Sequence, residues 1–237
     1  VPTLAGFGLQ DKPLAVRAAG AILAYLQETQ RGALKQLTSL RSYAIANFMT
    51  LDAARRRNLE LTETIRDGHK QGSLLAVLDR TVTPMGARLL RTWIGQPLLE
   101  RSKLDKRLDA VEALFTSGTM RAEVREQLRG VSDLERLTNR LLAGRAGPRD
   151  LLALAEGLNT VPRLREAIHP CEALVSPLDA LDPCADLCEV VGRALAEDPP
   201  ALANTTGIIR PGYADELDRV VSGSRAAREW VANLEPQ

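Results

Sequence analysis

Leucine recurring at helical spacing is the feature that most constrains this chain. The 237 residues include 39 leucines, whereas only 3% are Phe, Trp or Tyr. Leucine and alanine favour helices, while the β-branched and aromatic residues that favour strands are infrequent in this sequence. The core must therefore be built from aliphatic side chains on helix faces, and we predict a mainly α fold.

Apolar residues three and four apart predict an array of helices joined by short loops. We place helices at 14–30, from Asp52 to the Asp67-Gly68 break, after Ser73, from Pro84 to Gly95, from Ser102, around 134–141, after Pro148, at about 185–196 and from Ala214. The stripe of Met85, Leu89, Trp93 and Ile94 is predicted to face inward, and the next helix carries Leu104, Leu108, Val111 and Phe115 on one stripe.

Three stretches do not fit a helix. Residues 37–51 alternate weakly, which favours a strand or an extended connector, and Ile208-Ile209 suggests a short extended piece. Prolines at 170, 177 and 183 interrupt the stretch from Glu166, so we expect a surface connection there. The predicted fold is thus a multi-helix array with a small mixed α/β piece at the N-terminus.

The charge balance argues against a chain that grips DNA by itself. The 31 basic and 30 acidic residues are interleaved and leave a formal charge of +1, whereas a protein that binds the DNA backbone strongly usually shows a basic excess.

No apolar run is long enough for a membrane span. Three cysteines do not suggest a disulfide framework, so we expect a cytoplasmic protein. The N-terminal Val1 suggests an excised or processed chain.

The motifs of catalysis and nucleotide binding are missing. No G-x-x-x-x-G-K-[ST] loop occurs, and Gly6-Phe7-Gly8 continues with Asp11 where a dinucleotide fingerprint needs a third glycine. The two histidines lie a hundred residues apart, which makes an acid–base pair improbable. We therefore predict no catalytic and no cofactor-binding residue in this chain.

One group of residues admits a metal site as an alternative. His169, Cys171, Cys184 and Cys188 are soft ligands within twenty residues, but they lack the tight C-x-x-C spacing of structural zinc sites. Cys184 and Cys188 lie four apart on a predicted helix, where thiols commonly face a core. We favour buried thiols and predict no metal ligand.

Other polar and aromatic residues have plain structural interpretations. Arg55, Arg56 and Arg57 could touch phosphate, but consecutive residues fan around a helix. We interpret the acidic residues Glu60, Glu63 and Asp67 as partners of Arg56 and Arg57 in surface ion pairs. We interpret Trp93 as a core residue, whereas Trp230 lies one step off its stripe and suggests an interface.

Long motifs then resemble the MutS family. They are Leu51-Asp52-Ala53-Ala54-Arg55-Arg56-Arg57-Asn58-Leu59-Glu60-Leu61, the run from Gly72-Ser73-Leu74-Leu75 through Asp79-Arg80-Thr81-Val82-Thr83-Pro84-Met85-Gly86 to Trp93, Gln96-Pro97-Leu98, Asp133-Leu134-Glu135-Arg136-Leu137, Pro148-Arg149-Asp150-Leu151 and Ile209-Arg210-Pro211-Gly212-Tyr213 to Asp218. Phe7-Gly8-Leu9 and Ala18-Ala19-Gly20-Ala21 resemble the family's connector domain. At Arg55 the family usually has Thr.

The resemblance implies a division into the end of a connector domain at 1–40, a helical core domain at 41–213, and the start of a lever helix at 214–237. It implies a non-catalytic scaffold that couples binding of mismatched duplex DNA to the ATPase of a longer parent protein. The clamp and ATPase domains, with ATP and Mg as cofactors, would lie outside this chain. The implied partners are mismatched DNA, a second copy in a homodimer, and MutL. Direct duplex-DNA binding and, less strongly, a zinc-binding domain remain the alternatives.

Overall fold

The chain forms an array of helices. A computed structural model of the protein describes residues 12–29, 47–168, 171, 174, 178–201 and 205–233. The helices, numbered in chain order, are α1 (Pro13–Thr29), α2 (Ala53–Asn58), α3 (Leu74–Leu78), α4 (Pro84–Gly95), α5 (Arg101–Thr116), α6 (Gly118–Arg129), α7 (Leu134–Leu142), α8 (Pro148–Leu158), α9 (Thr160–Ile168), α10 (Ala185–Ala194) and α11 (Asp215–Ala232). The predicted mainly α fold is confirmed.

Extended pairing in the described residues is limited to isolated bridges. Phe48 pairs with Leu98, and Leu195 pairs with Ile209, both antiparallel. The second bridge confirms the short extended piece predicted at Ile208-Ile209. Most of the strand predicted at 37–51, and the mixed piece at the N-terminus, lie outside the described residues.

Side-chain caps set the starts of several helices where the sequence predicts them. The Asp52 carboxylate accepts the Arg55 amide at 2.7 Å and begins α2. The Ser73 hydroxyl accepts the Ala76 amide at 3.3 Å, and the Thr83 hydroxyl accepts the Gly86 amide at 3.1 Å. Each cap satisfies a backbone N–H that has no partner within the first turn of its helix.

The second helix is much shorter than its sequence pattern predicts. It ends at Asn58 and not at the Asp67-Gly68 break, because Glu60 adopts a left-handed conformation with φ of 47°. The carbonyls of Glu60 and Leu61 then accept the amides of Leu74 and Leu75 at 3.0 and 2.9 Å. The chain therefore turns back at Glu60 to cap α3, a long-range contact that spacing within α2 cannot reveal.

A buried hydrophobic cluster lies between α6 and α9. Val124, Leu164 and Ile168 pack together with Cys171, and each is at least nine-tenths buried. Cys171 falls in the stretch predicted to be a surface connection. That prediction is wrong at this residue, because the chain after α9 folds back onto the cluster and closes it.

A second packed region joins α7, α8 and α10. Gly157 on α8 allows a close approach, since a Cβ built there would lie 2.6 Å from Cδ2 of Leu134 on α7. On the other side of α8, its residue Ala155 is buried, and so is Cys188 of α10. The short helices α7 to α10 therefore form one packed unit.

The stripe on α4 that is predicted to face inward is largely exposed, so this prediction is wrong. Met85 and Ile94 are half-buried, but Leu89 and Trp93 are exposed. The second stripe, on α5, is also exposed along its length. The helices are correctly placed, but their predicted apolar faces are not covered by the described residues. No helix among those residues is long and apolar enough to cross a membrane.

Candidate functional site

An arginine on α4 holds the beginning of α7. The Arg88 guanidinium donates to both carboxylate oxygens of Asp133, at 2.7 and 2.8 Å, and also to Glu135. Asp133 in turn accepts the Arg136 amide at 3.1 Å and caps α7. Because these hydrogen bonds favour the charged carboxylate, above all those from Arg88, the pKa of Asp133 falls to about 2.

An open groove of about 520 Å³ runs beside this contact. It is lined by Arg88, Asp133, Glu135, Arg136, Asn139, Arg140, Ala143 and Arg145. Asp133 and Glu135 neutralise Arg88, and Asp150 lies 2.9 Å from Arg140. Arg136 and Arg145 take part in none of the ion pairs found among the described residues. The groove can therefore attract an anion weakly, and none of its side chains is a nucleophile.

A second arginine fixes the loop that leads toward the last helix. Arg149, in the first turn of α8, donates to the Pro199 carbonyl at 2.7 Å and pairs with Asp198 at 3.0 Å. Pro199 is fully buried. Gly147 lies so close to this loop that an added Cβ would approach the Ala201 carbonyl to 2.8 Å. The loop is therefore tied to the start of α8.

The last helix is attached to the array at its N-terminal end. Residues 194–196 pair with 208–210, with the Ala196 amide donating to Ile208 at 2.9 Å and the Arg210 amide to Ala194 at 2.8 Å. Gly212 then turns with φ of 87°, and its amide donates to Asp218 at 2.7 Å. Beyond this point α11 has no buried residue. Its 18 residues extend about 27 Å at the usual helical rise.

The candidate zinc ligands separate into different packing environments. Cys171 belongs to the cluster between α6 and α9. Cys188 is buried on α10, and its thiol donates to the Ala155 carbonyl at 3.7 Å. Burial raises the pKa of the Cys188 thiol. Both cysteines are buried, which confirms the buried-thiol interpretation for them, whereas His169 lies outside the described residues.

The buried-thiol interpretation is wrong for Cys184. This residue is partly exposed and precedes α10 with φ of 48°. Across the described part of the chain, no three His, Cys, Asp or Glu side chains are grouped so that they could hold a metal ion.

The arginine run on α2 mainly binds its own flanking backbone. Arg55 donates to the Thr50 carbonyl at 3.4 Å, and Arg56 donates to Leu51 at 3.1 Å. The predicted ion pairs with the acidic residues that follow are wrong: within residues 47–168, none joins Arg56 or Arg57 to them. Glu60 instead accepts the Ile65 amide at 2.7 Å, because the chain has already left the helix.

The two tryptophans are both exposed. Trp93 is 39% exposed, and the Arg107 guanidinium of α5 stacks 3.7 Å from the centre of its ring. The interpretation of Trp93 as a core residue is therefore wrong, and its role is to join α4 to α5 through a cation–π contact. Trp230 is exposed on α11, and its place at an interface stays a prediction.

Comparison with protein families matches two consecutive parts of the chain. MutS domain II matches residues 1–38, and MutS domain III matches residues 54–234.

Curated relatives match nearly the whole chain. The DNA mismatch repair protein MutS of Halothermothrix orenii is 39% identical over 235 residues, which is 98% of this chain and 26% of that protein. The MutS proteins of Acetivibrio thermocellus and Synechococcus elongatus are 42% and 43% identical, over 94% and 98% of this chain. The chain spans about a quarter of the length of these relatives, which are covered to 26% and 27%. The domain III match and the relatives show that the chain belongs to the MutS family.

Proposed function

We propose that the chain is a non-catalytic scaffold that acts in DNA mismatch repair within a longer MutS-type protein. In this proposal it couples the binding of mismatched duplex DNA to an ATPase elsewhere in that protein. The relatives are DNA mismatch repair proteins by name, which supports a role in that repair process. They are also much longer than this chain, which supports a longer parent protein. ATP and Mg, a homodimeric parent, MutL and a cytoplasmic location belong to the same proposal.

The observation that carries the proposal is the geometry of α11. The helix is held by backbone pairing and by the Gly212 turn at one end, while Asp215–Ala232 contains no buried residue. A rod fixed at one end transmits rotation to its free end. The packed helices behind it resist compression, because protein interiors are close-packed. Movement at the far end of α11 would therefore reach the array as a rigid-body shift.

Ion pairs and a hydrogen bond between segments distant in sequence support a stiff array. Arg88 joins α4 to α7, and Arg140 of α7 pairs with Asp150 of α8 at 2.9 Å. Arg125 of α6 donates to the Arg80 carbonyl at 2.8 Å, which ties the segment before α4 to a different helix. Contacts of this kind fix helix positions at three separate places along the chain.

The test is to break α11 near its anchored end in the longer protein. Val221→Pro should abolish most of the stimulation of ATP turnover by mismatched DNA, because proline at this interior position removes a backbone hydrogen bond and interrupts the helix. Val221→Ala shortens the same exposed side chain but keeps the helix, and should retain the stimulation. Circular dichroism of the 237-residue chain checks that only the first variant loses helix. Full stimulation in a Val221→Pro protein with a disrupted helix would show that α11 is not the coupling element.

Direct binding of duplex DNA is the second candidate, and the arginine groove on α7 favours it. Arg136 and Arg145 are the two groove arginines outside the ion pairs described above. If the chain binds duplex DNA directly, it should retain the duplex in a salt-sensitive way. The double substitution Arg136→Glu with Arg145→Glu should then weaken this binding. The scaffold function predicts little retention by the 237-residue chain at physiological salt. A mobility-shift assay with matched and mismatched duplexes over a salt range separates the two.

A further inference from the structure

The exposed apolar face of α5 has the spacing of a coiled-coil seam. We call Leu104, Leu108, Val111 and Phe115 the α5 stripe. Their intervals of four, three and four residues place them along one line of the helix. They are 37%, 63%, 61% and 79% exposed, respectively. Four large apolar side chains on one line of a helix are unusual for a surface that stays in water.

One side of α5 packs against the rest of the protein. The side of the helix opposite the stripe carries Ala110, Ala113 and Leu114, which are half-buried, and Ala113 packs against the cluster between α6 and α9. Next to that side, Arg107 stacks on Trp93. One flank of the stripe is therefore occupied by the body of the protein.

The other flank of the stripe is open and acidic. Asp105, Asp109 and Glu112 recur four and three residues apart along it, and all are exposed. Asp105 pairs with Arg101 at 3.5 Å. Asp109 and Glu112 belong to none of the ion pairs among the described residues. An occupant of the stripe thus meets uncompensated negative charge on this flank.

We propose that the α5 stripe docks an amphipathic helix whose apolar seam is bordered by lysine or arginine. A heptad seam accepts side chains of a second helix as knobs, and flanking charges select the partner. Basic residues would complement Asp109 and Glu112.

The docked helix comes from the same longer polypeptide. The first relative matches over 26% of its own length, so about three-quarters of such a protein is available to cover this face. This assignment rests on the proposed function, which places the chain inside a longer protein.

The first experiment uses designed peptides to test whether the α5 stripe binds a helix with an apolar seam and basic flanking residues. Two labelled helices of about three heptads carry leucine at the seam, one with lysine and one with glutamate at the flanking positions. Fluorescence anisotropy with the 237-residue chain should show the lysine peptide binding about fivefold more tightly, the effect of roughly two exposed ion pairs. Leu108→Asp with Phe115→Asp should remove binding. Because both side chains are exposed, circular dichroism should remain unchanged.

A charge reversal provides the matched control. Asp105→Lys, Asp109→Lys and Glu112→Lys together should reverse the preference, so that the glutamate peptide binds more tightly. Equal binding of both peptides, or binding that survives the two aspartates in the stripe, would overturn the proposal. Self-association of the chain that is abolished by those aspartates would also overturn it, because the occupant would then be a second copy.

The second experiment tests the source of the helix. In the longer polypeptide the site is already occupied, so the lysine peptide should bind at least about tenfold more weakly than it binds the 237-residue chain. Equal affinity would show that the occupant is not part of the same chain. The readout is peptide binding and not ATP turnover. Failure of the α11 coupling test would therefore leave peptide selectivity intact, and the two proposals can fail separately.

Discussion

The guanidinium of Arg88 lies 2.7 and 2.8 Å from the two carboxylate oxygens of Asp133, across 45 residues of sequence. Two parallel hydrogen bonds fix orientation as well as distance, which a single lysine contact would not do. Because Asp133 also caps α7, this one pair determines both where α7 begins and how it meets α4.

The Arg88–Asp133 pair predicts a pH-dependent stability. The pKa of Asp133 is about 2 in the folded protein, below the ordinary value of about 3.9 for an unfolded chain. The stabilisation is therefore fully present above about pH 4 and is lost as the pH falls toward 2. Arg88→Leu should remove this contribution, so its urea-unfolding free energy should fall less steeply between pH 5 and pH 2 than that of the wild type.

Arg91→Leu is the matched control for that measurement. Arg91 lies on the same helix and is exposed, and it is in none of the ion pairs among the described residues. Its loss should leave the acid dependence unchanged. If Arg88→Leu and the wild type show the same slope with pH, the pair does not stabilise the fold.

The three cysteines should differ in reactivity. Cys184 is partly exposed, whereas Cys171 and Cys188 are buried, and burial raises the pKa of Cys188. Since the thiolate is the reactive form, iodoacetamide at pH 8 should modify Cys184 at least about tenfold faster than Cys188. Mass spectrometry of peptides follows each site. In urea the rates should converge, and equal rates in the folded protein would contradict the burial of Cys188.

Two helical glycines should respond oppositely to an added side chain. Gly192 on α10 has no atom within 4 Å of a built Cβ, so Gly192→Ala should stabilise the protein by about 0.5–1 kcal/mol through helix propensity. A Cβ built on Gly157 of α8 would lie 2.6 Å from Cδ2 of Leu134, so Gly157→Val should destabilise the protein by about 1–3 kcal/mol through overpacking. Urea unfolding measures both. Stabilisation by Gly157→Val would mean that α7 and α8 do not pack this closely.

The sequence predicts helix starts well because caps are local. Ser73, Thr83 and Asp52 each act within three residues of their own position, so their pattern is readable without the fold. The end of α2 is different. It depends on the carbonyls of Glu60 and Leu61 accepting the amides of Leu74 and Leu75, each fourteen residues away, and no periodicity within α2 carries that information.

The two helices that form the buried cluster, α6 and α9, are absent from the sequence-based prediction. Their stripes are short, with Val124 on α6 and Leu164 and Ile168 on α9, and charged residues separate them. Ser117 does supply a local signal, since its hydroxyl accepts the Met120 amide and begins α6. The longer leucine stripe on α5 is instead exposed, because periodicity shows that a face is apolar but not which partner covers it.

The candidate site depends on contacts that are even less local. Arg88 and Asp133 lie in two separate family motifs, and nothing in either motif indicates that they meet. Cys171 and Cys188 are close in sequence but belong to different packed regions, so proximity along the chain was misleading for a metal site. The position of α11, in contrast, follows from the Pro211-Gly212 turn and the stripe behind it, and both are visible in the sequence.

The exposed stripe of α11 should make the 237-residue chain self-associate. Val220 and Val231 are 68% and 57% exposed, and Ser224 and Ala227 lie between them on the same face. Pairing of two such helices removes this apolar surface from water. Sedimentation should therefore show a dimer whose fraction rises with protein concentration. Val220→Asp with Val231→Asp should shift the chain to monomer, because two charges would then face the pairing surface. Ser222→Asp adds a charge on the opposite face and should leave the dimer intact. A strict monomer at high concentration, or equal effects of both changes, would show that this face does not drive association.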